Sequence, residues 1–195
     1  MTRVDYHLSD SQSIFTRFTW DQGTDKKPDP VPITNNDIFT HTRYTTVQYE
    51  KIFSPRLLSM SRVVYNRTVI GSAVSLNISY PLNLFLFDKT YPPNFTIPGA
   101  TVFGPNERSI FNNVQNLYQF AQSFVYTRSR HSYKFGVDLE KVGTNNDGGP
   151  TDNGTLSWGS ASDFLSDKTF DVFSVAVPGS TSQRTFVQWV YGLYF

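Results

Sequence analysis

Residues 132–140 read Ser-Tyr-Lys-Phe-Gly-Val-Asp-Leu-Glu, and this stretch decides the fold. Successive side chains of a β-strand point to opposite faces. One face of an extended chain here is therefore apolar and the other face is polar. The apolar face carries Tyr133, Phe135, Val137 and Leu139, and the polar face carries Ser132, Lys134, Gly136, Asp138 and Glu140. Alternation of this kind predicts a half-buried strand.

The same two-residue period recurs along the chain, whereas helical periodicity is weak. In the last segment Val187, Trp189, Tyr191, Leu193 and Phe195 share a face. Residues 116–127 place aromatic side chains on one side, with Gln122 as an exception. Weaker alternation marks 3–7, 13–20, 42–52 and 57–69. We therefore predict an all-β, antiparallel fold of about seven strands, with a short helical turn at 160–165 as the one helical candidate.

The predicted connections alternate in length. Short turns fall at 8–12, 53–56 and 128–131. Long connections run from Asp21 to about Thr40, from about Ile70 to Val114, and from Gly143 to about Gln183. Long irregular loops are uncommon in compact soluble domains. Transmembrane β-barrels combine short periplasmic turns with long external loops. The alternation of short and long connections therefore predicts a segment of such a barrel.

Composition agrees with half-buried strands and excludes several classes of protein. Aromatic residues make up 16% of the chain and charged residues only 17%. That aromatic content argues against disorder. The formal net charge of +1 gives no bulk attraction to nucleic acid. The absence of Cys excludes disulfide frameworks and thiolate metal sites.

If the strands form a barrel, one face of each strand meets lipid and the other faces the lumen. In hydrocarbon every backbone polar group must be paired, so strands cross a membrane as a closed barrel with apolar side chains outward. Lys134, Asp138 and Glu140 are predicted to face the lumen. Trp20, Tyr126 and Trp189 suit the aromatic girdles at the interfaces. The residues predicted to face lipid are Tyr133, Phe135, Val137, Leu139, Val187, Trp189, Tyr191 and Leu193.

The candidate chemical sites are weak, and no catalytic, cofactor-binding or metal-binding residue is predicted. The histidines His7, His41 and His131 lack metal-ligand spacing. Asp138 and Glu140 share a strand face as an acid–base pair can, but charge lining is the preferred interpretation. A calcium loop around Asp147 lacks the closing Glu of the EF-hand. The sequons at Asn66, Asn77, Asn94 and Asn153 are interpreted as chance occurrences. The chain is therefore not expected to be an enzyme.

Several stretches resemble the barrel region of TonB-dependent receptors. These are residues 3–10 with 15–18, residues 53–58 with 62–66, residues 191–195 and, most specifically, the run from Tyr118 through Arg130 to Asp138. That run is similar to a hairpin of the Oar-like group, which carries a carboxypeptidase-regulatory domain. The resemblance implies a barrel of about 22 strands closed by a plug, which imports a scarce nutrient with energy passed on by TonB.

Three expectations follow from the resemblance and the barrel reading. Residues 1–195 form part of a receptor barrel in the outer membrane of a Gram-negative-type bacterium, and the plug and regulatory domains are not visible in the sequence. The partners are outer-membrane lipid, the TonB complex through the plug of the parent protein, and an unknown nutrient (siderophore, glycan or peptide). Ligand contact is expected on loop aromatics such as Tyr91 or Phe95. The alternative is a soluble or cell-surface β-sandwich used for binding or adhesion.

Overall fold

The computed structural model describes residues 1–79, 92–105, 110–148, 153–177 and 179–195. Seven long strands form one antiparallel sheet, in the order β1-β2-β3-β4-β6-β7-β10. Their bounds are Thr2–Ser9 (β1), Gln12–Pro28 (β2), Thr34–Ser54 (β3), Leu57–Leu76 (β4), Phe111–Arg128 (β6), His131–Asp147 (β7) and Arg184–Tyr194 (β10). The predicted all-β, antiparallel fold is thus confirmed. The sheet is not closed, since β1 and β10 are its two edges.

The register is continuous across the whole sheet. One row of directly paired residues crosses all seven strands at the same level. From β1 to β10 this central row consists of Val4, Thr16, Val47, Val63, Phe120, Leu139 and Tyr191. Because side chains alternate strictly along a strand, the row fixes which residues of every strand share a face.

The first long connection predicted from the sequence is wrong. Strands β2 and β3 remain paired well beyond Asp21, down to Pro28 opposite Asn35, so the connection between them is only 29–33. Strands β4 and β7 likewise extend past their predicted ends, to Leu76 and Asp147. Charged and small polar residues suggested a loop there, but ladder hydrogen bonds do not depend on apolar side chains, and strand propensity depends on context.

The two remaining long connections contain structure of their own. Strand β5 (Asn94–Thr96) pairs in parallel with β8 (Thr155–Ser157), and β8 pairs with β9 (Val172–Ser174). These strands form a separate three-stranded sheet that joins the connection after β4 to the connection after β7. The helix α1 (Ala161–Leu165) follows Ser160, whose hydroxyl caps it by accepting from the Asp163 amide. The predicted helical turn at this position is therefore confirmed.

Few hydrophobic side chains are buried. Among the described residues, Val74 and Ile97 are the only buried hydrophobic side chains apart from three prolines, while Trp189 is 64% and Leu193 is 87% exposed. A soluble domain of this size would bury a large part of its apolar surface. Within the described ranges, no second sheet is packed across either face of the seven-stranded sheet, as a sandwich would require. The part of the chain that the structure describes contains no helix with the length and apolar character needed to span a membrane.

Candidate functional site

The two faces of the large sheet differ in chemistry. The face that carries the central row is called the apolar face, and the opposite one the polar face. All eight residues predicted to face lipid lie on the apolar face, four of them on β7 and four on β10. The predicted lumenal residues Lys134, Asp138 and Glu140 all lie on the polar face. The register thus brings each predicted set together on one side of the sheet.

The apolar face carries an apolar belt, which is interrupted near the short turns by Gln12 on β2 and Lys51 on β3. On β6 the belt runs from Tyr118 to Tyr126, which is the length of roughly 9–11 residues that a tilted strand needs to cross a bilayer. Aromatic rings contact one another between strands: Tyr65 and Tyr118 have centroids 5.0 Å apart, and Phe124 and Phe135 lie 5.4 Å apart. Such cross-strand aromatic pairs stabilise a sheet.

Gln122, the exception noted in the sequence, lies inside this belt, and its side-chain amide is hydrogen-bonded to neighbouring residues. Its amide oxygen accepts a hydrogen bond from Ser61, and its Nε2 donates to Ser59 Oγ at 2.8 Å and to the Ser123 carbonyl at 3.3 Å. Ser59, Ser61 and Gln122 are called the serine–glutamine cluster. The cluster spans β4 and β6, so polar groups in an apolar setting find partners across the ladder.

The ends of the apolar belt carry aromatic residues. Trp20, Tyr126 and Trp189, which were predicted to belong to interfacial girdles, all lie on the apolar face. Tyr126 lies near the short turns, while Trp20 and Trp189 lie toward the long connections. The Lys141 ammonium lies 5.3 Å from the centroid of the Trp189 ring. A cation over an indole ring combines an apolar body with a charged tip, as side chains at an interface do.

The polar face is lined by hydrogen-bonded charges. Gln119 donates to both carboxylate oxygens of Asp138, at 3.0 and 3.1 Å. The Arg3 guanidinium forms a bidentate pair with Asp5, with the shortest N–O distance 2.7 Å. The Lys134 ammonium lies 5.8 Å from the centroid of the Tyr194 ring. The pairing of Arg3 with Asp5 was missed in the sequence, although its spacing of two residues places both on one strand face.

The small sheet and α1 enclose an aromatic cluster and are together called the loop module. Phe95 stacks with Phe103 at 4.5 Å between ring centroids and with Trp158 at 6.2 Å. Phe164 and Trp158 pack edge to face, with ring centroids 5.1 Å apart. Phe95, one of the two predicted ligand contacts, thus belongs to the packing of the module. The other, Tyr91, lies outside the described residues.

Charged groups fasten the helix of the loop module. Hydrogen bonds from the Lys168 ammonium, and then from Ser160, hold the pKa of the Asp163 carboxyl below its usual value. The same contact with Asp163 raises the pKa of Lys168. The Trp158 indole N–H donates to the Lys168 carbonyl at 3.0 Å, which links this pair to the aromatic cluster.

The weaker candidates from the sequence occupy structural positions. Asn145, Asn146 and Asp147 form the end of β7 and pair with β6, so they are not a loop. Asp152, the remaining member of the calcium-loop candidate, lies outside the described residues. Asn94 is buried, and its side chain donates to the Pro105 carbonyl. Within the described ranges, no three His, Asp or Glu side chains gather as metal ligands would.

Comparison with known proteins gives one match, and it covers the whole chain. The profile of the family described as "Outer membrane beta barrel domain" matches residues 1–195. No curated protein and no solved structure was found to match the chain. The chain therefore belongs to the outer membrane beta barrel domain family, which places it in the outer membrane.

Proposed function

We propose that this chain forms part of the wall of a TonB-dependent receptor that imports a scarce nutrient across the outer membrane. One observation carries the proposal. The central row from Val4 to Tyr191 crosses all seven strands on one face, while the ionic side chains Lys134, Asp138 and Glu140 lie on the other. A sheet with this division suits a boundary between hydrocarbon and an aqueous lumen.

In this proposal the apolar face meets outer-membrane lipid. Because so few hydrophobic side chains are buried, the exposed ones need a cover that is not part of the described chain. Lipid supplies this cover along the entire apolar belt. The eight residues predicted to face lipid include Leu139 and Leu193, and contact with lipid would remove both from water.

The receptor part of the proposal rests on the resemblance of residues 130–138 to receptor barrels. The plug region of the parent protein would contact the TonB complex, and the nutrient would bind on the side of the long connections. The loop module stands on that side and links two of these connections. Transport requires only differential binding and a gated path, so we propose that the chain has no catalytic role. The pairing of Asp138 with Gln119 supports charge lining as the role of that carboxylate.

The orientation of the two faces can be tested by spin labelling, because the chain contains no native Cys. Single variants Val137→Cys and Asp138→Cys place a nitroxide on adjacent positions of β7 with opposite faces. In phospholipid vesicles, the label at 137 should collide mainly with dissolved oxygen and the label at 138 mainly with a water-soluble nickel chelate. Equal accessibility at the two positions would contradict the proposed wall.

The receptor assignment needs a separate test. The codons that flank this chain should encode a plug domain in the same reading frame. Uptake of iron chelates, glycans and peptides should then be compared in cells that lack the gene and in cells that lack TonB. The proposal expects the same nutrient to be lost in both, and unaffected uptake after loss of TonB would exclude an energised receptor.

A further inference from the structure

The apolar belt ends, toward the long connections, in a row of residues with a different character. This boundary row is made of Trp20, Arg43, Arg67, Asn116, Gly143 and Val187, on the same face as the central row. It lies one step beyond the level of Tyr65 and Tyr118. Aromatic residues near the end of an apolar band mark the interface of a barrel with the membrane surface.

Two arginines of the boundary row lie directly opposite each other. Arg43 on β3 pairs with Arg67 on β4, so both guanidinium groups leave the same face from neighbouring strands. Directly opposed like charges destabilise a sheet. Asn116 accepts from Arg67 Nη1 at 2.9 Å and from the Tyr65 hydroxyl at 3.2 Å, which holds Arg67 in place. Arg43 is exposed.

No acidic group in the described part of the chain offsets this charge. Among the described residues, neither Arg43 nor Arg67 forms an ion pair with a carboxylate. The boundary row and the rows on either side of it contain no Asp or Glu on the apolar face. The adjoining row instead adds a third cation, Lys141, beside Trp189. The fold thus concentrates uncompensated positive charge at the edge of the belt.

We propose that Arg43 and Arg67 bind the phosphate groups of anionic lipid headgroups in the membrane leaflet on the side of the long connections. A phosphate between the two guanidinium groups would offset their repulsion, and guanidinium matches phosphate geometry through paired N–H donors. Lys141 supplies a further contact within reach of the same headgroup layer. The inference rests on the proposed orientation of the faces, which makes lipid the source of the phosphate at this depth.

The test uses the whole chain in detergent micelles, with bound lipids counted by native mass spectrometry. Phosphatidylglycerol, which carries an uncompensated phosphate, is compared with zwitterionic phosphatidylcholine. The unmodified chain should retain phosphatidylglycerol more tightly. The double change Arg43→Gln and Arg67→Gln should weaken that binding about 25-fold, at about fivefold for each basic residue near anionic lipid.

A matched control removes the same charge from the polar face. Arg17 and Arg62 lie there, on β2 and β4. The double change Arg17→Gln and Arg62→Gln should leave phosphatidylglycerol binding within about twofold. An equal loss in the control would overturn the proposal. Displacement of phosphatidylglycerol by an equal concentration of inorganic phosphate would also overturn it, because the site would then take a soluble anion.

Two further measurements do not depend on the glutamine variant folding. Arg43→Lys with Arg67→Lys keeps both charges and should retain most of the phosphatidylglycerol binding, whereas a loss as large as that expected for glutamine would contradict a charge-based site. Binding to the unmodified chain should also weaken as salt rises. The spin labels at 137 and 138 report the orientation separately. Correct orientation with no preference for phosphatidylglycerol would refute this inference alone.

Discussion

Replacing Val137 with arginine puts a charge in the middle of the apolar belt on β7. Tyr133 and Lys141 bound the belt on this strand, and Val137 lies midway between them on the same face. At about 3.4 Å per residue, each boundary is roughly 14 Å away along the strand. With a barrel tilt of roughly 40°, this is roughly 10 Å in depth, close to the middle of an apolar band about 25 Å tall.

An arginine at that depth costs about 2–4 kcal/mol on the lipid face of a barrel. The folding equilibrium of Val137→Arg should therefore fall about 30- to 900-fold. The measurement is guanidinium unfolding of the chain in phosphatidylcholine vesicles, followed by tryptophan fluorescence. Fluorescence suits this purpose because Trp20 and Trp189 both lie on the apolar face.

Two companion variants test the reasoning rather than the size of the effect. Glu140→Arg changes the charge by two units on the polar face of the same strand and should cost less than Val137→Arg. Val187→Arg lies in the boundary row, where an arginine costs about 0–1 kcal/mol. If Glu140→Arg proved as destabilising as Val137→Arg, the assignment of faces would be refuted.

Three further predictions concern other parts of the chain. Acid should loosen the loop module: the lowered pKa of Asp163 means that its contact with Lys168 is complete above the ordinary carboxyl value of about 3.8 and is lost as the pH falls below it. Trp158 fluorescence should report that transition, and Asp163→Asn should abolish it. Gly136→Ala should destabilise the sheet by about 1–3 kcal/mol, because an added Cβ would overlap the Gln122 carbonyl and the Tyr194 ring. Gly143→Ala, where a Cβ has open space, should be neutral or slightly stabilising in the same unfolding assay. Gln122→Leu should cost about 1–3 kcal/mol by leaving the other members of the serine–glutamine cluster unpaired, and changing both serines to alanine in that background should recover most of the loss.

Much of the large sheet could be predicted because its signal is local. The alternation in β7 assigned Lys134 and Leu139 to opposite faces, and the register of the neighbouring strands agrees. The helical turn after Ser160 was also readable, since a serine before the turn with an acid three residues later is a capping pattern. These features depend on residues a few positions apart.

The features that could not be predicted from the sequence depend on pairing between residues far apart in the chain. Residues 21–28 contain Lys, Asp and Pro and resemble a loop, yet their ladder to β3 continues as far as Asn35. The small sheet joins β5 to β8, whose residues are about 60 positions apart, and neither strand alternates over enough residues to be recognised. The opposed pair Arg43 and Arg67 is likewise visible only once the register of β3 and β4 is known.

The length of the strands determines what a large particle at the cell surface would contact first. Strand β3 continues from Arg43 in the boundary row to Thr34, roughly 30 Å along the strand and a little over 20 Å in height at barrel tilt. In the proposed orientation, the paired strands therefore continue beyond the headgroups as a hydrogen-bonded sheet rather than as flexible loops. In that orientation, an antibody or a bacteriophage fibre would contact this part of the sheet, or the connections that carry the loop module, before it reached lipid. If the chain lines a receptor as proposed, a bulky ligand would be held above the membrane while a small nutrient passed it.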